Sequence, residues 1–436
     1  MAQNSFLGRK KLAIRKALVE HRFIKTFFKY LFDKIPKTIK GKWKKFWKKV
    51  DKMLAVPAIR RLERDTPIDP DTIVFITSTG RYDCNPKWIC EEILRQQLPY
   101  KLYWTVRKKP KFGNGRFPME LTLVKRDSYE FHEACASARV IIDNSTSMAF
   151  MQHHKKPGQI LIETWHGAIG IKKFSKDTNT DKVWVQKAEE EAASTDYCIS
   201  NSTFETELYK DTFWANTEIL QYGHARNDIL FPNYSERAET AKQEIYEKYQ
   251  LEPETRICMY APTFRNDGDI SPYLIDYNNL LEALKTRFGG EWVIFTRYHR
   301  LITKKMKSIK LPQGVKNVSG YPDIQELMCC IDVGITDYSS WICEYMLTGR
   351  PGFLYATDAD SFVHNERALF YPLTSMPFPL ARNNKELIEN VLQFDETGFK
   401  EKCDAFLKKY GCVDDGHASE RAVEKIKELM GSSPEK

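Results

Sequence analysis

Short, uninterrupted apolar runs recur along this chain, each followed by a polar turn and then by a segment of helical periodicity. The first lies within Asp71-Thr72-Ile73-Val74-Phe75-Ile76-Thr77, closed by Ser78-Thr79-Gly80 and followed by a helical pattern over Pro86 to Leu94. Tyr100 to Val106 predicts a second strand, Ala134 to Ala138 a helix end, Val140 to Ile142 a third strand and Gln159 to Ile162 a fourth. A strand that is apolar at every position must be covered on both faces, which marks a parallel sheet with helices on each side. The alternation restarts with Ile257 to Tyr260, a helix around Leu280 to Arg287, and strands at Trp292 to Phe295 and Val333 to Thr336. The pattern predicts an α/β chain with two doubly wound sheets. The charged stretch from Ser235 to Glu252 is expected as a helix near their junction.

In such sheets ligands bind beyond the carboxyl ends of the strands, so the residues that follow each apolar run carry the candidate chemistry. Glu163-Thr164-Trp165-His166-Gly167 places an imidazole at one strand end, where a side chain titrating near neutral pH suits a general base. Gly167 lacks the Cβ that would crowd a substrate against the backbone. The plainer reading is a histidine capping a loop. Val333 to Tyr355 reads as strand, polar turn, helix, turn and strand. Thr336, Asp337, Ser339 and Ser340 stand where the helix begins, so backbone N–H groups and hydroxyls can converge on an anion. An ordinary N-cap is the competing reading. Three more strand ends bring cations: Gly223 to Asp228 with Arg226, Ala261 to Arg265, and Thr296 to Arg300 with Arg297 and His299. Gathered around one cleft, these are the groups needed to grip a pyrophosphate.

The 436 residues suffice for two domains with separate cores. Ten cysteines occur with no CxxC pair and no metal-ligand spacing, the pattern of core thiols in a reducing compartment. No apolar run approaches the roughly 18 residues of a membrane span, and no secretory leader pattern opens the chain. The net charge of +9 is unevenly placed: residues 1–62 hold 19 Lys or Arg against 3 acids, and the remainder is net acidic. Trp43, Phe46, Trp47, Val50, Met53 and Leu54 recur at helical spacing among lysines, a basic amphipathic helix suited to an anionic membrane surface. Docking of that stripe on the rest of the protein, or nucleic-acid binding, are the alternatives. A net-acidic remainder without a nucleic-acid motif speaks against the last.

Seven segments in order resemble the CDP-glycerol glycerophosphotransferase family, which includes teichoic acid and capsule polyol-phosphate primases and polymerases. They are Gly80 to Lys87, Trp165-His166-Gly167, Gly223 to Asp228, Tyr260 to Arg265, Thr336 to Ser340, Arg367 to Tyr371 and Asp415 to Arg421, together covering roughly residues 70–430. The resemblance implies a GT-B fold of two facing Rossmann-like domains. The chain then divides into a basic arm (1–65), an acceptor-side domain (66–228), a CDP-donor domain (229–412) and a C-terminal helix (413–436). It also implies His166 as catalytic base and His299 as a second essential histidine. Gly167, Arg226, Pro262, Thr263, Arg265, Arg297, Ser339, Ser340, Glu344 and Arg367 fall at donor-binding positions, Glu344 suited to the ribose hydroxyls. Arg300 stands where the family commonly has proline, and Glu344 where it has aspartate.

The implied reaction transfers a polyol phosphate from CDP-glycerol or CDP-ribitol to a hydroxyl of a lipid-linked or polymer acceptor, releasing CMP. A GT-B glycosyltransferase using a nucleotide sugar is the alternative. The implied location is the cytoplasmic face of the membrane, peripherally bound. No cofactor is implied, no metal ligand set is assigned and no nucleic-acid partner is expected. Whether a divalent metal assists stays open, because no compact carboxylate cluster is visible in the sequence.

Overall fold

The structure, a computed structural model, describes residues 56–108, 117–167, 169–173, 181–266, 269–299, 302, 306 and 310–431. The expectations for the basic arm over residues 1–55, and for Arg300, fall outside them.

The first sheet is built from β1 (Thr72–Ile76), β2 (Lys101–Val106), β3 (Thr122–Lys125), β4 (Val140–Asp143), β5 (Ile160–Glu163), β6 (Tyr197–Ser200) and β7 (Glu218–Gln221). Their order is β3-β2-β1-β4-β5-β6-β7, and every pairing is parallel. The second comprises β8 (Arg256–Tyr260), β9 (Trp292–Thr296), β10 (Val315–Asn317), β11 (Val333–Thr336), β12 (Gly352–Tyr355) and β13 (Leu380–Ala381), ordered β10-β9-β8-β11-β12-β13 and again all parallel. These are two Rossmann-like domains of a GT-B fold, as the apolar runs and the resemblance implied.

The continuous apolar runs have a direct cause. In β1 all five residues are buried, and alternate side chains enter different cores: Ile73 and Phe75 join Trp88, Trp104 and Ile142 on one face, while Val74 and Ile76 join Phe131, Cys135 and Ile141 on the other. Each such side chain contributes roughly 1.5–3 kcal/mol through burial. A third, larger core surrounds β8, β9, β11 and β12. The turn after β1 depends on Gly80 at φ +67, where a Cβ would stand 2.8 Å from the Arg107 backbone nitrogen.

The chain crosses back at its end. Helix Glu396–Lys409 packs into the core of the second domain, whereas helix Ala418–Gly431 lays Ala422, Val423, Ile426 and Leu429 against the first sheet. Asp228 holds that crossing by accepting the N–H groups of Ala418 and Ser419 at 3.0 and 2.7 Å, and Arg421 donates to the Tyr222 carbonyl at 2.9 Å. The segments 223–228 and 415–421 thus fasten the C-terminal helix to the first domain. Lys87 makes a clasp between the domains, its Nζ buried between Asp323 and Glu326 of the other domain at 2.7 Å from each. Helix Ser235–Tyr249 lies at the junction as expected, its Arg237 also reaching Glu326 at 2.9 Å.

All ten cysteines are unpaired. Among the described residues no helix is long and apolar enough to cross a membrane.

Candidate active site

β5 ends at Glu163, and the next three residues are held rigidly. Trp165 sits at φ +48, a left-handed conformation unfavourable for an indole-bearing residue. It is sustained by its N–H bonding the Glu163 carboxylate at 2.7 Å, by Asn85 donating to the Thr164 and Trp165 carbonyls, and by the indole packing on Trp214. At Gly167 a Cβ would stand 3.2 Å from the Trp165 indole, a tight contact that the ring would have to relieve by shifting.

The turn presents His166 to solvent. Its Nδ1 lies 2.7 Å from the Asn144 carbonyl, which can only accept, so the ring carries its proton on Nδ1 and leaves Nε2 as the free base. Desolvation by the walls of the cleft, with the Arg226 guanidinium nearby, pulls the pKa down to about 4 against the one bond to Asn144 that favours protonation. The imidazole is therefore neutral at physiological pH.

Behind it lies a feature that the spacing of acids concealed. Asp143, Glu163 and Glu191 converge with carboxylate oxygens within 4.8 Å of one another, all buried. This corrects the expectation that no compact carboxylate cluster exists. Asp143 accepts the N–H groups of Asn144, Ser145, Ser147 and Met148, Glu163 that of Thr146, and Glu191 that of Ala149. Burial raises all three pKa values, and the charge of Asp143 adds to the rise at Glu163 and Glu191. The trio's visible work is to fix the 144–149 loop, and so the Asn144 carbonyl that orients His166.

In the second domain the ends of β8, β9 and β11 surround a cavity of about 300 Å³ lined by Lys172, Pro262, Thr263, Phe264, Asn266, His299, Ser339, Phe362, Glu366 and Arg367. Asp337 laces its floor, accepting the Thr263 N–H at 2.7 Å and that of Tyr338 at 2.5 Å. Of the expected donor-binding residues, Pro262, Thr263, Ser339 and Arg367 are brought together here, with His299, the second expected catalytic histidine, beside them. His299 is exposed, its ring 5.4 Å from that of Phe264. Ser340 adjoins the cavity wall but bonds no backbone N–H through its side chain, and the helix it opens, Trp341–Tyr345, is only five residues long. The dipole expected of that helix is correspondingly small.

Three arginines expected to contact the donor are committed within the protein. Arg265 is 3% exposed and spends its donors on Asp358, Asp337 and the Thr263 carbonyl. Arg297 donates to the carbonyls of Val318 at 3.4 Å and Tyr321 at 2.5 Å. Arg226 bonds Glu344 at 2.5 Å, the Gly167 carbonyl at 3.1 Å and the Cys84 sulfur at 3.2 Å. Glu344 in turn accepts from Gln325 at 2.6 Å, so its carboxylate is engaged too. Burial raises the Glu344 pKa against the pull of the guanidinium, but an arginine stays protonated and the contact is ionic. In this arrangement the three guanidiniums brace neighbouring loops, and Arg226 keeps a buried Nε without a hydrogen-bond partner among the described residues.

The same bonds join the two halves of the site. Arg226 touches the residue after His166 on one side and, on the other, the helix that follows the seryl turn. Beyond His166 the chain runs antiparallel to residues 368–371, with Lys173 N–H bonding the Ala368 carbonyl, Phe370 N–H the Ile171 carbonyl and the Tyr371 hydroxyl the Ile169 carbonyl. These bonds fasten the loop that carries His166 to the segments that border the cavity. Lys172, which sequence reasoning missed, is carried into the cavity by this pairing; within Lys172-Lys173 it reads as an ordinary surface charge.

A family model described as CDP-glycerol:poly(glycerophosphate) glycerophosphotransferase matches residues 58–428. The chain is 30% identical over 378 residues to the teichoic acid poly(glycerol phosphate) polymerase of Staphylococcus epidermidis, an alignment covering 82% of this chain and 50% of that protein. It is 28% identical over 371 residues to the teichoic acid glycerol-phosphate transferase of Staphylococcus aureus, covering 81% of this chain and 92% of that one. Against the polymerase the chain spans about half the relative's length. Among solved structures it resembles the wall teichoic acid polymerase TagF with a TM-score of 0.74 and 27% identity, over 89% of this chain and 98% of that chain.

Proposed function

The chain belongs to the CDP-glycerol:poly(glycerophosphate) glycerophosphotransferase family, and from that membership we propose that it transfers glycerol phosphate from CDP-glycerol to a hydroxyl of a membrane-linked acceptor in teichoic acid or related polymer synthesis. The observation that carries the proposal is that the loop bearing His166, its Nε2 left free, is fastened through Arg226–Glu344 and the pairing of residues 169–173 with 368–371 to a cation- and hydroxyl-lined cavity of the second domain. Glycerol is preferred to ribitol because both relatives above are named for glycerol phosphate.

In this reading the acceptor hydroxyl attacks the phosphorus that bears the glycerol. A new P–O bond forms, the bond to the bridging oxygen of the pyrophosphate breaks, and CMP leaves with that electron pair. His166 Nε2 takes the hydroxyl proton, and the donor's negative charge, once bound, raises the basicity of the ring. His299 and Arg367 offset charge on the transferring and leaving oxygens, while Thr263 and Ser339 supply hydroxyl bonds. Positioning and electrostatics do most of the work in such transfers. Arg226, Arg265, Arg297 and Glu344 act by fixing the loops that carry these groups.

The basic amphipathic pattern of residues 1–62 supports attachment to an anionic membrane surface, where a lipid-linked acceptor would be found. Vesicle binding by the full chain, lost on deleting residues 1–62, tests that part.

Supplying CDP-glycerol and CDP-ribitol in turn, with a polyol-phosphate acceptor, and identifying the released nucleotide tests the reaction. CMP from CDP-glycerol is expected. Activity only with a nucleotide sugar, releasing a nucleoside diphosphate, would instead assign a glycosyltransferase.

A further inference from the structure

Lys172 is a cation of the first domain whose side chain lies in a cavity of the second. The antiparallel pairing of residues 169–173 with 368–371 sets its Nζ 3.2 Å from Thr263 Oγ1, a neutral partner. Among the described residues no carboxylate stands within ion-pair distance of it. Asp337, the attractive charge acting on it, is already bonded by Arg265 and by the N–H groups of Thr263 and Tyr338. Glu366, the acid in the lining, accepts both the backbone and side-chain N–H groups of Asn266. Facing the ammonium are Arg367, Arg265 and, across the cavity, His299. Burial and the two guanidiniums pull the Lys172 pKa down to about 8.

Lys172 and Arg367 thus line a polar cavity whose acids are occupied by other partners, and an anion bound there would relieve the repulsion between them. We propose that Lys172 is a donor-binding residue, reaching from the first domain into the second to hold the donor's pyrophosphate together with Arg367 and His299. The nucleotide seat is then complete only while residues 169–173 stay paired with 368–371, which ties donor binding to the segment that begins at the catalytic imidazole. This inference rests on the donor assignment above and adds to it a residue and a dependence between the domains.

The test titrates CDP into the full chain and its Lys172→Met and Lys172→Arg variants by calorimetry at pH 7.5 and 9.5. Loss of one charge-assisted bond to phosphate is expected to weaken CDP about ten- to a hundredfold in Lys172→Met at pH 7.5. Lys172→Arg should bind within about threefold of the parent there. Lysine loses its charge as pH rises through its pKa and arginine does not, so affinity should fall toward pH 9.5 in the parent and hold in Lys172→Arg. Equal binding by parent and Lys172→Met, or an unchanged pH dependence in Lys172→Arg, would overturn the inference. Should Lys172→Met fail to fold, the pH dependence of Lys172→Arg still decides. If the parent binds no cytidine nucleotide, the donor assignment fails instead. Inorganic pyrophosphate then reads the anion seat alone, weaker binding by Lys172→Met upholding it and equal binding removing it.

Discussion

Arg226 and Glu344 are 118 residues apart, yet their 2.5 Å contact links the imidazole loop to the helix behind the seryl turn. Both are nearly inaccessible, at 6% and 3% exposure. Removing one partner leaves the other as a buried charge with only neutral hydrogen-bond partners: Gly167 O and Cys84 Sγ for the arginine, Gln325 for the glutamate. Such single deletions cost about 3–5 kcal/mol, whereas replacing both partners by apolar residues of similar volume is close to neutral. Glu344→Leu and Arg226→Met should therefore each destabilise by about 3 kcal/mol or more, and the double variant by no more than about one single cost, a coupling of about 3 kcal/mol or more. Urea unfolding at pH 7.5 followed by intrinsic fluorescence measures this, with the slope checked for a separate transition of each domain. Arg226→Met should also lower turnover more than donor affinity, because it frees the Gly167 carbonyl. Single costs under about 1 kcal/mol, or additivity within about 0.5 kcal/mol, would refute the linkage. So would tighter donor binding by Glu344→Leu, since that would mean the arginine serves the donor once released.

Lys87→Met strands Asp323 and Glu326 in the interface and should lower stability by about 3–5 kcal/mol, read from the urea midpoint; a loss under about 1 kcal/mol would show the pair to be replaceable. His132 is buried, and desolvation holds its pKa at about 4 against 6.5 for the free side chain. The unfolded chain therefore binds the extra proton between these values, so this contribution to stability is full above about pH 6.5 and is lost as pH falls toward 4, by up to about 3 kcal/mol. His132→Phe should flatten the urea midpoint against pH across that window, and an unchanged slope would count against it.

The strands legible in the sequence are those buried on both faces, because only they are apolar at every position. β1, β8 and β9 are of this kind. β3, β7 and β10 are short and partly exposed, with patterns such as Glu218-Ile219-Leu220-Gln221 that give no continuous apolar run to predict a strand from. His166, Thr263 and Ser339 were legible because a polar group directly after an apolar run has a predictable address at the sheet's carboxyl edge. The arginines showed their chemistry but not their partners: Arg265 meets Asp358 across 93 residues, a pairing that no local pattern encodes. Asp143, Glu163 and Glu191 were hidden in the same way, each a lone acid until β4, β5 and helix Lys182–Ala192 bring them together.

The central claim is that the imidazole of the first domain and the cavity of the second act on one donor molecule. It is tested most directly by CMP release from CDP-glycerol in His166→Ala, with CDP affinity measured on the same preparation. A general base predicts turnover lower by about 10²–10⁴ with affinity unchanged. Turnover equal to the parent's would contradict it.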